Sequence, residues 1–499
     1  MDLLSNLALG FATAATPANL AFCLLGVIIG TLVGVLPGIS PLTTVAMLLP
    51  FTFGLPPASA LIMLSGIFYG AQYGGSTTAI LVNVPGETSS VITCIDGHQM
   101  ARQGRAGPAL AIAAIGSFCA GTFATLAIAL MSVPLALFAL KFTAVETVSL
   151  IILGLIGAVV LAHGSPVKAI LMIIVGILLG LVGIDVNSGV PRMTLGLPQL
   201  ADGVGFVPIA IGLFGIAEMI HNLEKPQDRK FVDGKVRNLM PTRADLAAAT
   251  PAIIRGTALG TILGVLPGGG AALPAFAAYA LEKKVAADPS RFGKGAIEGV
   301  AGPESANNAG AQTSFVPMLT LGLPSNPLMA LMIGALMIQG IQPGPQVMTK
   351  QPELFWGVIA SMWIGNLMLL IINLPMIGVW VSLLRVPYRL LFPAIVALCC
   401  IGSYSVSNSL FDVWLVLLFG LVGYFFIKIG VEPAPLVLGF VLGPMLEEHF
   451  RRAMLISSGD LSVFVERPIS AVLLAISLAL LAALLVPAIR TRREALKAD

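Results

Sequence analysis

The chain has 499 residues, of which 57% are hydrophobic and only 10% charged, with a formal net charge of +3. A soluble fold carries about 25% charged residues and could not cover this much apolar surface, so lipid is the expected solvent. So small a net charge gives no reason to expect nucleic-acid binding.

Taken in order, residues 18–36 form an uncharged run long enough to span a bilayer, and Pro37-Gly38 ends it. Residues 42–53 are apolar but too short to cross. Residues 58–72 complete a crossing, and 74–95 follow as an apolar stretch broken by Asn83, Pro85, Gly86 and Glu87. A positive loop with Arg102 and Arg105 leads into 109–140, an uncharged run with Pro134 inside it. That run suits one kinked helix, or a helix and a second short piece. Further candidate spans are 147–161, 167–184 and 204–220. The polar stretch 224–245, with Lys225, Arg229, Lys230, Lys235, Arg237 and Arg243, reads as a solvated connector.

The second half repeats this plan. GTLVGVLPG at 30–38 returns as GTILGVLPG at 260–268, with seven of nine positions identical and an offset of 230. Pro85 pairs with Pro324 at offset 239 and Pro134 with Pro375 at offset 241. The charged insert 282–298 supplies the growth in offset. Residues 302–326 form the second broken segment, and 354–384 the second long uncharged run. Later candidates are 390–401, 413–427, 436–446 and 469–489.

Positive charge marks cytoplasmic loops, and it alternates between the halves. No Lys or Arg precedes the first GVLPG, whereas six lie in the segment before the second. The expected fold is therefore an all-α polytopic membrane protein. It has two inverted-topology repeats with broken or re-entrant helices and about 10–12 transmembrane segments. The first repeat is 1–223, the cytoplasmic connector 224–250, the second repeat 251–489 and the cytoplasmic tail 490–499. The N-terminus is expected outside, and the absence of Lys or Arg before the first apolar run argues against a signal peptide.

Paired interrupted segments point to a transporter site near the midplane, because broken helices free backbone groups that must meet a ligand or line a cavity. The candidates are Gly38 and Ser40 in the first turn, and Gly268, Gly269 and Gly270 in the second. The first broken segment offers Gly74, Gly75, Ser76, Thr77, Thr78, Asn83, Gly86 and Glu87. The second offers Glu304, Ser305, Asn307, Asn308, Ser325 and Asn326. Small residues let backbone approach a ligand, and hydroxyls and amides bind carboxylate or ion; the competing role of Gly and Ser is close helix packing. Glu87 and Glu304 suit a cation, a proton relay or a basic partner, and Glu87 also suits a headgroup-level position near Asp96. Asp185 reads as interfacial. The five cysteines read as packing residues, and the four histidines support no metal site. No nucleophile elbow, Walker loop or metal-spaced motif is present, so no catalytic residue, enzyme activity or cofactor is expected.

Residues 30–87, GTLVGVLPGISPLTTVAMLLPFTFGLPPASALIMLSGIFYGAQYGGSTTAILVNVPGE, resemble the signature region of the large membrane subunit of tripartite tricarboxylate transporters, the TctA family. GVAGPESANNAGAQTSFVPMLTLGLPSN at 299–326 resembles a second block of that family. The resemblance implies a secondary transporter of the bacterial inner membrane. It also implies a small TctB-type membrane subunit and a periplasmic TctC-type solute-binding protein. The implied activity is uptake of tricarboxylates or other organic carboxylates, driven by Na⁺ or H⁺. A homodimer is compatible with it, and a passive channel for small organic anions is the alternative reading.

Overall fold

A computed structural model describes residues 3–36, 39–162, 165–185, 187–224, 239–266, 270–383 and 388–485. Within them the protein is an all-α polytopic membrane protein, and its strands are the two-residue pair Gly183–Ile184 and Pro191–Arg192. Most of the polar connector (225–238) and the charged tail (490–499) lie outside the described residues.

Six helices among the described residues are long and apolar enough to cross a membrane. They are Pro17–Val35, Ala106–Ala139, Phe206–Glu224, Arg243–Leu263, Pro352–Asn373 and Leu410–Lys428. Seven shorter apolar helices of 10–17 residues accompany them. Local chemistry sets many of the starts. Thr16 caps Pro17–Val35, Ser40 caps Pro41–Thr52 and Asn326 caps Pro327–Ile338. Each cap side chain accepts an amide the helix leaves unpaired, and each is followed by a proline that has no N–H to lose.

Two helices are buried all round. Every residue from Ser59 to Val82 in Pro57–Val82, and from Gly299 to Thr313 in Glu298–Thr313, is buried. Each lies against a spanning helix along a glycine seam. A Cβ on Gly26, Gly30 or Gly34 would collide with the backbone carbonyl of Met63, Ile67 or Ala71. In the second half, Gly256, Gly260 and Gly264 meet the carbonyls of Gly302, Ala306 and Gly310 in the same way. The first set shifts by 230 residues and the second by 239, so the duplication extends to individual backbone contacts. Seams of small residues of this kind are how helices approach closely where lipid supplies no driving force.

The structure keeps the first break at 83–87 and narrows the second to 322–326. Gly74, Gly75, Ser76, Thr77 and Thr78 lie inside the unbroken Pro57–Val82 helix, and Glu304, Ser305, Asn307 and Asn308 inside Glu298–Thr313. The hydroxyls do not disrupt the helix because they bond back one turn: Ser76 Oγ to Gln72 O at 3.0 Å, Thr78 Oγ1 to Gly74 O at 3.4 Å. Of the residues read as interrupting the second segment, only those from Gly322 to Asn326 do so. Pro134 lies within the continuous Ala106–Ala139 helix, so that run is one helix; Pro375 falls at a turn after Pro352–Asn373. Glu282 is buried and takes two hydrogen bonds from Arg255, at 2.8 and 2.5 Å.

Candidate functional site

The two breaks have one geometry. Pro57–Val82 stops at Asn83 and Phe315–Leu321 stops at Gly322, both in the left-handed region (φ 58° and 71°). Extended residues containing Pro85 or Pro324 follow. Glu87 (φ −152°, ψ 171°) and Asn326 (φ −156°, ψ 169°) then occupy the cap position of the next helix.

A cavity of about 370 Å³ lies between the breaks, bordered by Ser40, Gln72, Glu87, Gly270, Ser325 and Asn326. Four helix N-termini open onto it. They belong to Pro41–Thr52, Ala272–Val285, Pro327–Ile338 and Ala434–Ile456, whose first residues line its wall. Asn326 Oδ1 accepts Met329 N at 3.0 Å, but its buried Nδ2 has no hydrogen-bond partner. Gly270, in the left-handed region (φ 48°), faces it: a Cβ there would sit 3.7 Å from Nδ2. Converging N-termini present free N–H groups and partial positive charge, which favour an anion. The cavity also carries acid. Glu87 accepts Gln72 Nε2 at 2.6 Å and the Ser89 hydroxyl, and Glu432 also lines the cavity.

A second polar cluster is enclosed deeper, where four helices meet. The Glu304 carboxylate, 0% exposed, accepts Ser76 Oγ at 2.6 Å, Asn307 Nδ2 at 3.3 Å and the Thr93 hydroxyl. Asn308 Nδ2 lies 2.7 Å from Ser117 Oγ and 2.6 Å from Asn307 Oδ1. Tyr73, Ser76, Thr77, Ser117 and Asn373 border a narrow crevice here of about 10 Å³.

The fold thus brings Ser40, Glu87, Gly270, Ser325 and Asn326 to one cavity, and gathers Ser76, Glu304, Asn307 and Asn308 in the other cluster, which Thr77 borders across the crevice. The rest have other surroundings. Gly74 and Gly86 sit in close packing: a Cβ on Gly74 would strike the Thr31 carbonyl, and one on Gly86 that of Gly34, whereas one on Gly75 would lie 3.1 Å from Glu87 Cγ. Thr78 Oγ1 bonds Val35 O at 2.9 Å, tying two helices together. Asn83 is an exposed helix stop. Ser305 Oγ is buried without a partner and would lie 2.8 Å from a Cβ on Gly116. Gly38, Gly268 and Gly269 lie outside the described residues.

Sequence reasoning passed over Glu218. It lies within the Phe206–Glu224 span and accepts Ser40 Oγ at 2.9 Å and the Thr43 hydroxyl, holding the cap of Pro41–Thr52. The preceding turn, Ile211–Ile216, is a π-helix, and Thr43 Oγ1 reaches its Phe214 carbonyl at 2.9 Å. An acid within the apolar run 204–220 was the available signal. Asp96 was taken only as a neighbour of Glu87. It is 0% exposed and accepts Tyr279 OH, Gly295 N and Ala296 N at 2.8, 2.8 and 2.9 Å, clamping the insert to the first half.

All five cysteines are free, and among the described residues no group of three or more His, Cys, Asp or Glu side chains is arranged to hold a metal ion. Asp185 is anchored at a hairpin: it accepts the Asn187 amide at 3.0 Å and Arg451 at 3.0 and 3.2 Å.

Comparison with known proteins agrees with the resemblance. The chain is 59% identical over 494 residues to an uncharacterized 52.8 kDa protein in the TAR-I ttuC′ 3′ region of Agrobacterium vitis, covering 99% of this chain and 98% of the relative. It is 61% identical over 235 residues to an uncharacterized protein in the TAR-II ttuC′ 3′ region of the same organism, covering 47% of this chain and 97% of the relative. No solved structure matches the chain significantly. The model of the tripartite tricarboxylate transporter TctA family matches residues 20–438, a span that holds both breaks and the whole lining of the cavity, and the chain belongs to that family.

Proposed function

We propose that the protein is the large membrane subunit of a secondary transporter that imports tricarboxylates or related organic carboxylates. The observation that carries this reading is the cavity of about 370 Å³ on which four helix N-termini and the unpartnered Asn326 amide converge. Its volume falls among small-molecule sites, about 300–1,000 Å³. Helix N-termini directed at a carboxylate are how transporters with interrupted helices hold anionic solutes.

In this reading a periplasmic TctC-type protein delivers the solute, a small TctB-type subunit completes the membrane unit, and a Na⁺ or H⁺ gradient drives uptake. The halves form an inverted repeat in the inner membrane, with the N-terminus periplasmic and the C-terminus cytoplasmic. The alternation of basic loops and the recurring glycine contacts support that arrangement.

The test is uptake by proteoliposomes holding both membrane subunits. Accumulation should require the binding protein and an imposed Na⁺ or H⁺ gradient. Flux indifferent to both would instead favour a passive channel. Cysteine labelling should place Ala15 and Gly234 on opposite faces, and labelling from one side overturns the inverted repeat.

A further inference from the structure

The following rests on the carboxylate-transport reading and adds the place of a second ligand. We propose that Glu304, with Ser76, Thr93, Ser117, Asn307 and Asn308, forms a Na⁺ site distinct from the cavity that takes the organic carboxylate.

Charge is the first reason. Glu304 is fully enclosed, and no Lys, Arg or His pairs with it among the described residues. An ionised carboxylate at membrane depth costs several kcal/mol unless a cation answers it. The hydroxyls of Ser76 and Thr93 touch the carboxylate and that of Ser117 the Glu304 backbone carbonyl, hard oxygens of the kind that alkali and alkaline-earth ions take, while Asn307 turns its Nδ2 to the carboxylate.

A surplus of oxygen is the second. Asn308, 1% exposed, places Nδ2 within bonding distance of three oxygens: Ser117 Oγ (2.7 Å), Asn307 Oδ1 (2.6 Å) and Glu304 O (3.1 Å). An amide nitrogen has only two hydrogens to share among them. Asn308 Oδ1 meanwhile has no partner. Nor does Oδ1 of Asn373, 6% exposed, which borders the narrow crevice running between Ser76 and Ser117. That crevice, about 10 Å³, adjoins the cluster through Ser76 and Ser117 and is not lined by Glu304 itself; it admits one ion or water and nothing larger. A proton on Glu304 would remove the charge but leave Asn308 Oδ1 unanswered. A cation held by Glu304 answers the charge and draws on the oxygens beside it, Asn308 Oδ1 among them.

The site joins the cavity through one helical turn. Ser76, which touches Glu304, also bonds the carbonyl of Gln72, and Gln72 Nε2 holds Glu87 at the cavity wall. Cation binding therefore acts on the turn that sets the electrostatics of the carboxylate cavity.

The experiment is thermal unfolding of the full-length protein in detergent, with NaCl titrated against choline chloride at constant ionic strength. No carboxylate or binding protein is added. The wild-type midpoint should rise with Na⁺ and saturate. Ser117→Ala and Asn308→Ala should each raise the half-saturating Na⁺ concentration at least about tenfold, about 1.4 kcal/mol. Glu304→Gln should lose the response, and Asp288→Asn, in a loop, should keep it. If Glu304→Gln does not fold, the two alanine variants decide. A wild type blind to Na⁺, or alanine variants with the wild-type half-saturation, overturns the site. So does a midpoint that responds to pH and not to Na⁺, which would give Glu304 to a proton. Because no solute is present, failure here leaves the carboxylate reading to its own uptake assay.

Discussion

Glu87 and Asn326 hold the same position in the two breaks, 239 residues apart, each the extended residue that opens a helix on the shared cavity. One brings a carboxylate and the other an amide. That difference makes the cavity asymmetric: an anion approaching it meets an amide donor at Asn326 and a carboxyl group at Glu87. Substitutions at Asn326 therefore separate binding from folding.

Asn326→Ser keeps an oxygen to cap Pro327–Ile338 but removes the amide donor. Solute uptake should then show a KM raised about tenfold, the equivalent of about 1.4 kcal/mol, with membrane abundance unchanged. Asn326→Ala also loses the cap, and its thermal midpoint should fall by the equivalent of about 1 kcal/mol. An unaltered KM in the serine variant would remove Asn326 from the site.

The glycine seams should tolerate no side chain. Gly30→Ala places a Cβ against the Ile67 carbonyl, and Gly260→Ala against that of Ala306. Each backbone clash should destabilise by about 1–3 kcal/mol, lowering the thermal midpoint and the amount recovered from membranes. Gly54→Ala, with nothing within 4 Å of its Cβ, should match wild type. Equal midpoints for all three would mean the helices are not in contact along these glycines.

Arg255→Ala leaves Glu282 buried without its cation. Because the arginine is partly exposed, the loss should be about 1–3 kcal/mol, less than for a fully enclosed pair. The double variant Arg255→Met with Glu282→Leu should recover most of it, read as the thermal midpoint. No recovery in the double variant would show that the pair contributes something beyond charge neutralisation.

The Asn187 amide and the Arg451 guanidinium hold Asp185 down to about 2, from the usual 3.8. A lowered carboxylate favours the folded hairpin above its ordinary pKa and stops doing so as pH falls through its folded value. Hydrogen-exchange protection at the hairpin, taken relative to the intrinsic amide rate at each pH, should therefore fall between about pH 4 and pH 2. Asp185→Asn should show low protection across that range and no such step. A wild-type step absent from that window would show that Asp185 does not order the hairpin.

The repeat was readable in the sequence down to single residues. Glycine has no substitute where two backbones touch, so GTLVGVLPG and GTILGVLPG persist as words, and Pro85 and Pro324 mark breaks that no helix continues through. The extent of the breaks was misjudged, because Gly, Ser, Asn and Glu in an apolar run look like interruptions. In YGGSTT and PESANN they are interior helix positions whose side chains bond back to their own turn or across to a neighbouring helix. Glu218 stayed unnoticed because its partners, Ser40 and Thr43, lie more than 170 residues away in the chain.

By itself, then, the sequence determined that this chain lives in lipid, is built twice and is interrupted in matching places. Composition, glycine spacing and proline act locally and leave their mark on the chain. Only the tertiary structure decided which polar residues share a chamber: Ser40, Glu87, Gly270 and Asn326 at a cavity, Ser76, Glu304 and Asn308 in an enclosed cluster. The reason is that a buried polar group is stabilised by whichever partner the packing of distant helices brings within about 3 Å, and no local pattern encodes that partner.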